Sequence, residues 1–284
     1  MGITRFFITP QLPEVGAGDL AVVTGATSGI GEATARLLVS EGFRVVGTTR
    51  KPGGVDKRLP GVTYVGLDLG DSASIEACAA EILAMGTPAV LVNNAGESQS
   101  GPFEELPRDA LERLFHVNVI GHVDLTQRLL PAMRAAGRGR VVMVGSMLGS
   151  FPLGFRSSYV ASKAAVKGFA TSARRETAPF GIGFSTLEPG AISTGLSARR
   201  TTYVDEAGPY AAEFARMLAK LNRNEASGIS AERVAREILR PIRATRPKPH
   251  YAVGSMAPVA FALARVVPQQ IMPVSYTHLT LPTN

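Results

Sequence analysis

Short apolar runs alternate with helical patterns along most of this chain, and that alternation constrains the fold most strongly. Apolar runs occupy residues 21–25, 44–49, 62–67, 89–93, 140–144 and 182–187. Helical patterns lie between and after them, at 30–40, 72–85, 108–136 and 157–180. Continuous apolar strands alternating with helices predict an α/β fold, a doubly wound parallel sheet covered on both faces. Gly42 and Gly137 follow two of the helical patterns and suit their ends. No repeat of solenoid length and no low-complexity linker divides the chain. With 284 residues, one large core is expected. The expected single domain runs over 18–272, after an N-terminal extension at 1–17.

Composition narrows the partners. The chain is 45% hydrophobic and 19% charged, as in a soluble globular protein. Its one cysteine, Cys78, has no internal disulfide partner and reads as a small core residue in a reducing compartment. The first residues lack a secretory apolar region, and no stretch reaches the ~18 apolar residues of a membrane span. A cytoplasmic protein is expected. The net charge of +7 favours anionic partners. Neither a helix-turn-helix signature nor aromatic–basic interleaving is present, so nucleic acid is not expected. A phosphorylated cofactor or an acidic carrier protein fits the charge. Residues 274–283, Val-Ser-Tyr-Thr-His-Leu-Thr-Leu-Pro-Thr, resemble the in-frame translation of a transposon-end sequencing adapter. Residues 273–284 are therefore expected to be foreign to the gene, which the source DNA would settle.

Residues 24–31, Thr-Gly-Ala-Thr-Ser-Gly-Ile-Gly, follow the first strand and open a helix. Gly25 permits a tight turn, Gly29 lets backbone approach a pyrophosphate, and Gly31 permits close helix–strand packing. The helix N-terminus offers free N–H groups to phosphates. The spacing differs from the commonest dinucleotide fingerprint. At the end of the second strand, an acid would hold the ribose 2′-hydroxyl of NAD. This chain has Thr49, Arg50 and Lys51 instead. Two cations and no carboxylate favour the 2′-phosphate of NADP, with NAD the less favoured cofactor. Further on, Tyr159 and Lys163 stand four residues apart, thirteen after Ser146. A helix brings positions i and i+4 to one face. A nearby ammonium would lower the tyrosine pKa from its usual ~10.

In this arrangement the chain resembles the short-chain dehydrogenase/reductase family, in its single-domain, Rossmann-type form. The resemblance runs over about residues 18–195. It rests on the motif at Thr24, Gly25, Thr27, Ser28, Gly29, Ile30 and Gly31; on Asp68-Leu69; on Asn93-Asn94-Ala95-Gly96; on Asn118; on Ser146, Tyr159 and Lys163; and on the segment Pro189, Gly190, Ile192, Thr194. It implies that Asn118, Ser146, Tyr159 and Lys163 form a catalytic tetrad. Ser146 would bond the substrate carbonyl and Tyr159 would protonate its oxygen. Lys163 would bind the nicotinamide ribose and lower the Tyr159 pKa. Asn118 would hold a water linking Lys163 to solvent. Asp68 and Leu69 would meet the adenine, Asn94, Ala95 and Gly96 would line the cofactor site, and Ile192 and Thr194 would hold the nicotinamide amide. A homodimer or homotetramer is implied as well. Many NADP-preferring members carry a basic residue where this chain has Ser28, so the NADP expectation rests on Arg50, with help from Lys51. Residues 245–272 more loosely resemble the steroid and retinol dehydrogenase branch.

Residues 194–229 break the strand–helix rhythm and carry Tyr203, Tyr210, Phe214, Met217 and Leu221. Placed beyond the carboxyl ends of the strands, this insertion is expected to form a substrate lid. With Met147, Phe151 and Phe155 it suggests an apolar pocket. The leading expectation is an NADP-dependent oxidoreductase acting on the ketone or secondary alcohol of an apolar small molecule. A 3-oxoacyl carrier-protein reductase is the alternative, and a non-catalytic NADP-binding sensor or scaffold is the alternative of another class. His116, His122, His250 and His278 show no metal spacing, and no metal is expected. Arg240, Arg243, Arg246 and Lys248 precede the apolar run 251–267. That combination allows membrane-surface contact, though a C-terminal helix docked on the fold is favoured.

Overall fold

The computed structural model describes residues 11–55, 58–193, 195, 199–257 and 261–262. Seven parallel strands form one sheet: β1 Leu20–Val23, β2 Arg44–Thr49, β3 Val62–Gly66, β4 Pro88–Asn93, β5 Gly139–Val144, β6 Ile182–Pro189 and β7 His250–Val253. Their order is β3-β2-β1-β4-β5-β6-β7. The order reverses between β1 and β4, and in such sheets ligands bind beyond the strands' carboxyl ends at that switch. Strands β1, β4, β5 and β6 are buried along their whole lengths, which explains their unbroken apolar runs.

Helices α1 Gly29–Ser40 and α7 Ala231–Arg243 contribute to the core on one face of the sheet, with Leu38, Val234 and Ile238 against Val23, Val45 and Val92. Helices α2 Ser72–Met85, α4 Gly121–Ala135 and α5 Ser157–Thr177 cover the other, with Ile82, Leu125, Leu129 and Val166 against Val22, Leu91 and Val141. Leu12 and Val15, from the expected extension, are buried too, and Arg140 Nη2 donates to the Pro13 carbonyl at 2.8 Å. The glycine stops hold. After α1, Phe43 N–H bonds the Leu38 carbonyl and Gly42 N–H bonds that of Val39. After α4, Arg138 and Gly137 bond Met133 and Arg134 likewise. Both are Schellman closures with the glycine at positive φ.

Three features depart from the sequence-based expectations. The helix expected over 108–136 is α3 Arg108–Phe115, a π turn His116–Ile120 and then α4. Periodicity cannot register one inserted residue inside a helix, and such π turns mark functional sites. The 194–229 insertion is chiefly one helix, α6 Ala211–Ala226, preceded by a two-residue ladder in which Thr201 and Thr202 pair with Gln99 and Ser100. The apolar run starting at 251 opens as edge strand β7, in which Tyr251 and Val253 are buried. Arg240 and Arg243 belong to α7, so they stand on a different element from the strand in which that run begins. Residues 258–260 and the tail 273–284 lie outside the described residues. No described helix is long and apolar enough to cross a membrane.

Candidate active site

The chain turns from β1 into α1 through residues 24–28, and the turn is held against the end of β4. Thr24 Oγ1 accepts from Asn94 N–H at 2.8 Å and from Ala95 N–H at 3.0 Å, while Asn94 Nδ2 donates to the Thr24 carbonyl at 2.9 Å. A Cβ on Gly31 would stand 2.1 Å from the Gly25 carbonyl oxygen, so only glycine lets α1 start this close to the turn. Gly25 and Gly29 take φ of 68° and 56°, a left-handed backbone that other residues rarely adopt. The result is a helix N-terminus open to a cleft of about 1100 Å³. Thr27, Ser28 and Ile30 line it, and so do Arg50, Asp68, Leu69, Gly96, Pro189, Gly190 and Ile192. Asp68 Oδ1 accepts from Gly70 N–H at 2.9 Å, which fixes the carboxylate at the cleft edge. Gly190 N–H bonds the Val253 carbonyl at 2.8 Å, and Ile192 bridges Ile229. Thr194 lies outside the described residues.

Ser146, Tyr159 and Lys163 line the same cleft. Strand β5 ends at Val144, and Ser146 two residues on caps a short 3₁₀ turn, its Oγ accepting from Leu148 N–H at 3.2 Å. Helix α5 carries Tyr159 and Lys163 on its buried face. Tyr159 is 8% exposed and Lys163 6%. Burial raises the Tyr159 phenol above its ordinary value, while Arg156 and a hydrogen bond from Ser146 act in the opposite direction. Burial pushes the Lys163 ammonium down to about 8. Its Nζ donates to the Val144 carbonyl at 2.9 Å and stands 5.8 Å from the Tyr159 ring centroid. The expected lowering of the tyrosine by an adjacent lysine is therefore not the dominant effect: desolvation outweighs it.

Asn118 sits in the π turn, fully buried. Its Oδ1 accepts from Glu97 N–H at 2.8 Å, and its Nδ2 donates to the Glu97 carbonyl at 3.0 Å and to Ser162 Oγ at 3.2 Å. The side chain thus ties the β4 loop to α5 and fixes the spacing between Gly96 and Lys163.

Residues 19–204 match the short chain dehydrogenase family. The chain is a short-chain dehydrogenase. It is therefore an oxidoreductase acting on carbonyl or alcohol groups. The dehydrogenase is 29% identical to 3-ketodihydrosphingosine reductase of Bacteroides thetaiotaomicron, over 87% of this chain and 92% of that one. It superposes on a short-chain dehydrogenase from Streptomyces avermitilis with a TM-score of 0.79 and 31% identity, covering 94% of this chain and 98% of that one. A metagenomic short-chain oxidoreductase solved in complex with NADP gives a TM-score of 0.65 at 27% identity, over 84% and 97% of the two chains.

Several residues of this dehydrogenase's site escaped sequence reasoning. His122, considered only as a metal ligand, is buried with Nε2 2.7 Å from the Ala95 carbonyl oxygen and Nδ1 3.1 Å from Asn93 Oδ1. It therefore anchors the cofactor-side loop. Arg199 Nη1 donates to Ser28 Oγ at 3.2 Å, bringing a cation to the motif position that lacks one. Arg200 forms two 2.6 Å bonds with Glu225 and so pins α6. Phe155, at φ 61°, meets Phe214 of α6 at 5.8 Å. Of the insertion's apolar residues, Met217 and Leu221 line the cleft and Phe214 is buried behind them. Tyr203 instead lies beside Arg113, its hydroxyl 3.5 Å from Nη2. None of these pairings has a sequence spacing that marks it.

Proposed function

We propose that this dehydrogenase reduces the ketone of an apolar, chain-like substrate with NADPH. The observation that carries the reading is one continuous cleft. It is lined by the start of α1, Arg50 and Asp68, by Ser146, Tyr159 and Lys163, and by the apolar Met147, Phe151, Phe155, Met217 and Leu221. The residues present fit a dinucleotide, since the glycine cradle leaves backbone N–H groups open and Arg50 offers a 2′-phosphate its charge. The NADP held by the metagenomic relative supports that cofactor, and the name of the Bacteroides relative supports a long-chain ketone.

When bound, the nicotinamide supplies hydride to the carbonyl carbon. Ser146 donates a hydrogen bond to the carbonyl oxygen and holds it beside the Tyr159 phenol. Tyr159 gives its proton to that oxygen as negative charge develops there. Burial keeps the phenol protonated, which suits a general acid. Lys163 binds the ribose hydroxyls, and its own proton can replace the one Tyr159 gives up. Asn118 holds Lys163's surroundings in place through Glu97 and Ser162. Helix α6 walls the apolar part of the cleft as a lid.

NADPH oxidation measured against apolar ketones, aldehydes and 3-oxoacyl thioesters tests the substrate class. Tyr159→Phe should cost on the order of 10²–10⁴ in turnover while NADPH affinity, read by nucleotide fluorescence, stays near wild type. Activity within about tenfold of wild type would remove Tyr159 from its role. A preference for acyl-carrier thioesters over free ketones would move the assignment to carrier-protein substrates.

A further inference from the structure

Arg156 stands three residues before Tyr159 and is 2% exposed. Its Nη1 donates to Ser98 Oγ at 3.0 Å and to Ser100 Oγ at 2.9 Å, both neutral groups. Its Nε is buried with no hydrogen-bond partner. The carboxylate that acts on this guanidinium electrostatically, Glu225, is bound to Arg200 through two 2.6 Å contacts. Such burial is costly, and an apolar residue of similar size would suit stability better. The guanidinium carbon lies 4.3 Å from the Tyr159 ring centroid, whereas Lys163 Nζ lies 5.8 Å away and is committed to the Val144 carbonyl. The backbone is bent to deliver it there. Phe155 takes a left-handed φ of 61°, a strained conformation for a side chain of that size, and its carbonyl is held by Gly101 N–H at 2.9 Å.

We propose that Arg156 supplies the positive charge that stabilises the Tyr159 phenolate. It is a positioning residue, acting on the reacting atoms through Tyr159. When the phenol has given its proton to a substrate, the site holds a buried anion. The Arg156 guanidinium lies closer to the Tyr159 ring than the Lys163 ammonium does. The other charged groups acting on the phenol are Arg200 and Glu225. These two bind each other through two 2.6 Å contacts, so their effects oppose. After burial itself, Arg156 is the largest influence on the phenol, and it favours the ionised form. Burial lowers the guanidinium to about 10, which leaves it charged at neutral pH.

The chain contains six tyrosines and no tryptophan, so the tyrosinate absorption band can be read directly. Titrating the full chain, and subtracting the titration of Tyr159→Phe, isolates Tyr159 without any substrate. Arg156→Gln keeps hydrogen-bonding capacity toward Ser98 and Ser100 and removes the charge. It should raise the Tyr159 midpoint by about one pH unit or more, because a cation at this distance shifts an ionisable group by that much. Arg156→Lys should return most of the shift, and Lys163→Met should raise the midpoint less than Arg156→Gln does. If Arg156→Gln does not fold, Arg156→Leu, an apolar residue suited to the buried site, gives the same comparison. An unmoved midpoint in the neutral variant overturns the proposal. So does an equal rise in the glutamine and lysine variants, which would mark lost packing rather than lost charge. Turnover enters neither outcome, so failure of the ketone-reduction reading is separately visible.

Discussion

On the proposed reading, one side chain, Arg50, sets cofactor choice. It stands at the end of β2 and lines the cleft, where a carboxylate would instead hold a free 2′-hydroxyl. Lys51 is the next residue but is not among those lining the cleft. Replacing Arg50 by Asp, with Lys51→Ala to remove any substitute, deletes a charge-assisted bond worth roughly 1.5–3 kcal/mol and adds repulsion of the 2′-phosphate. The ratio of kcat/KM for NADPH over that for NADH should fall at least about tenfold. An unmoved ratio would place cofactor choice elsewhere, with Arg199 beside Ser28 the next residue to change. The glycine motif, the Tyr159–Lys163 spacing and the cation Arg50 could be picked out in the sequence, because each is a local pattern of residues. Arg156 and Arg199 could not, because their neighbours Ser98 and Ser28 are 58 and 171 residues away.

The start of α1 makes the corresponding point for a whole element. Its N-terminus faces the cleft only because Gly31 lets the first turn press against the Gly25 carbonyl and the Asn94 amide. A Gly31→Ala methyl would meet backbone there, and backbone cannot move aside as a flexible side chain can. Overpacking of this kind costs about 1–3 kcal/mol. The variant should therefore melt several degrees lower and bind NADPH more weakly. Calorimetry with and without nucleotide would show both, and a variant with wild-type melting and affinity would contradict the packing seen here. Element positions were readable from apolar periodicity, but the interruption at His116–Ile120 was not. The π turn preserves the helical pattern on either side while shifting its phase, and it places Asn118 between Glu97 and Ser162.

Across the whole molecule, two buried titratable groups tie the layers together and make stability pH-dependent. His122 joins α4 to the end of β4; burial chiefly, and Lys163 in addition, push it from 6.5 down to about 4 against the opposing Ala95 bond. Its folded pKa is depressed, so the neutral form's stabilisation is complete above pH 6.5. It is lost as pH falls from there toward 4, an effect on the order of 3 kcal/mol for a shift of this size. Glu188, at the end of β6, meets Lys167 at 3.1 Å, His250 at 3.2 Å and Ser150 Oγ at 2.6 Å. Burial raises it, yet these partners together hold it below its ordinary 4.5. Its contribution is present above pH 4.5 and lost as pH falls through its lower folded value. Urea midpoints should thus decline below about pH 6.5, then more steeply at lower pH. In His122→Gln the first decline should vanish and the second remain. A His122→Gln profile parallel to wild type would show that His122 does not carry it.

The layered α/β plan follows from residue order alone, because runs buried on both faces must be apolar throughout and helices must return each strand parallel to the last. Residue order also determined the glycine cradle and the spacing of Ser146, Tyr159 and Lys163, since short-range geometry follows from helix pitch and φ preferences. The tertiary structure decided what surrounds those groups. Tyr159 is raised by burial rather than lowered by Lys163, and Arg156, held by Ser98 and Ser100, is the cation beneath its ring. Helix α6 is pinned by Arg200 and Glu225, and the last strand joins an edge that the apolar run at 251 did not announce. These outcomes depend on desolvation and on contacts between distant segments, and no local pattern of residues encodes either one.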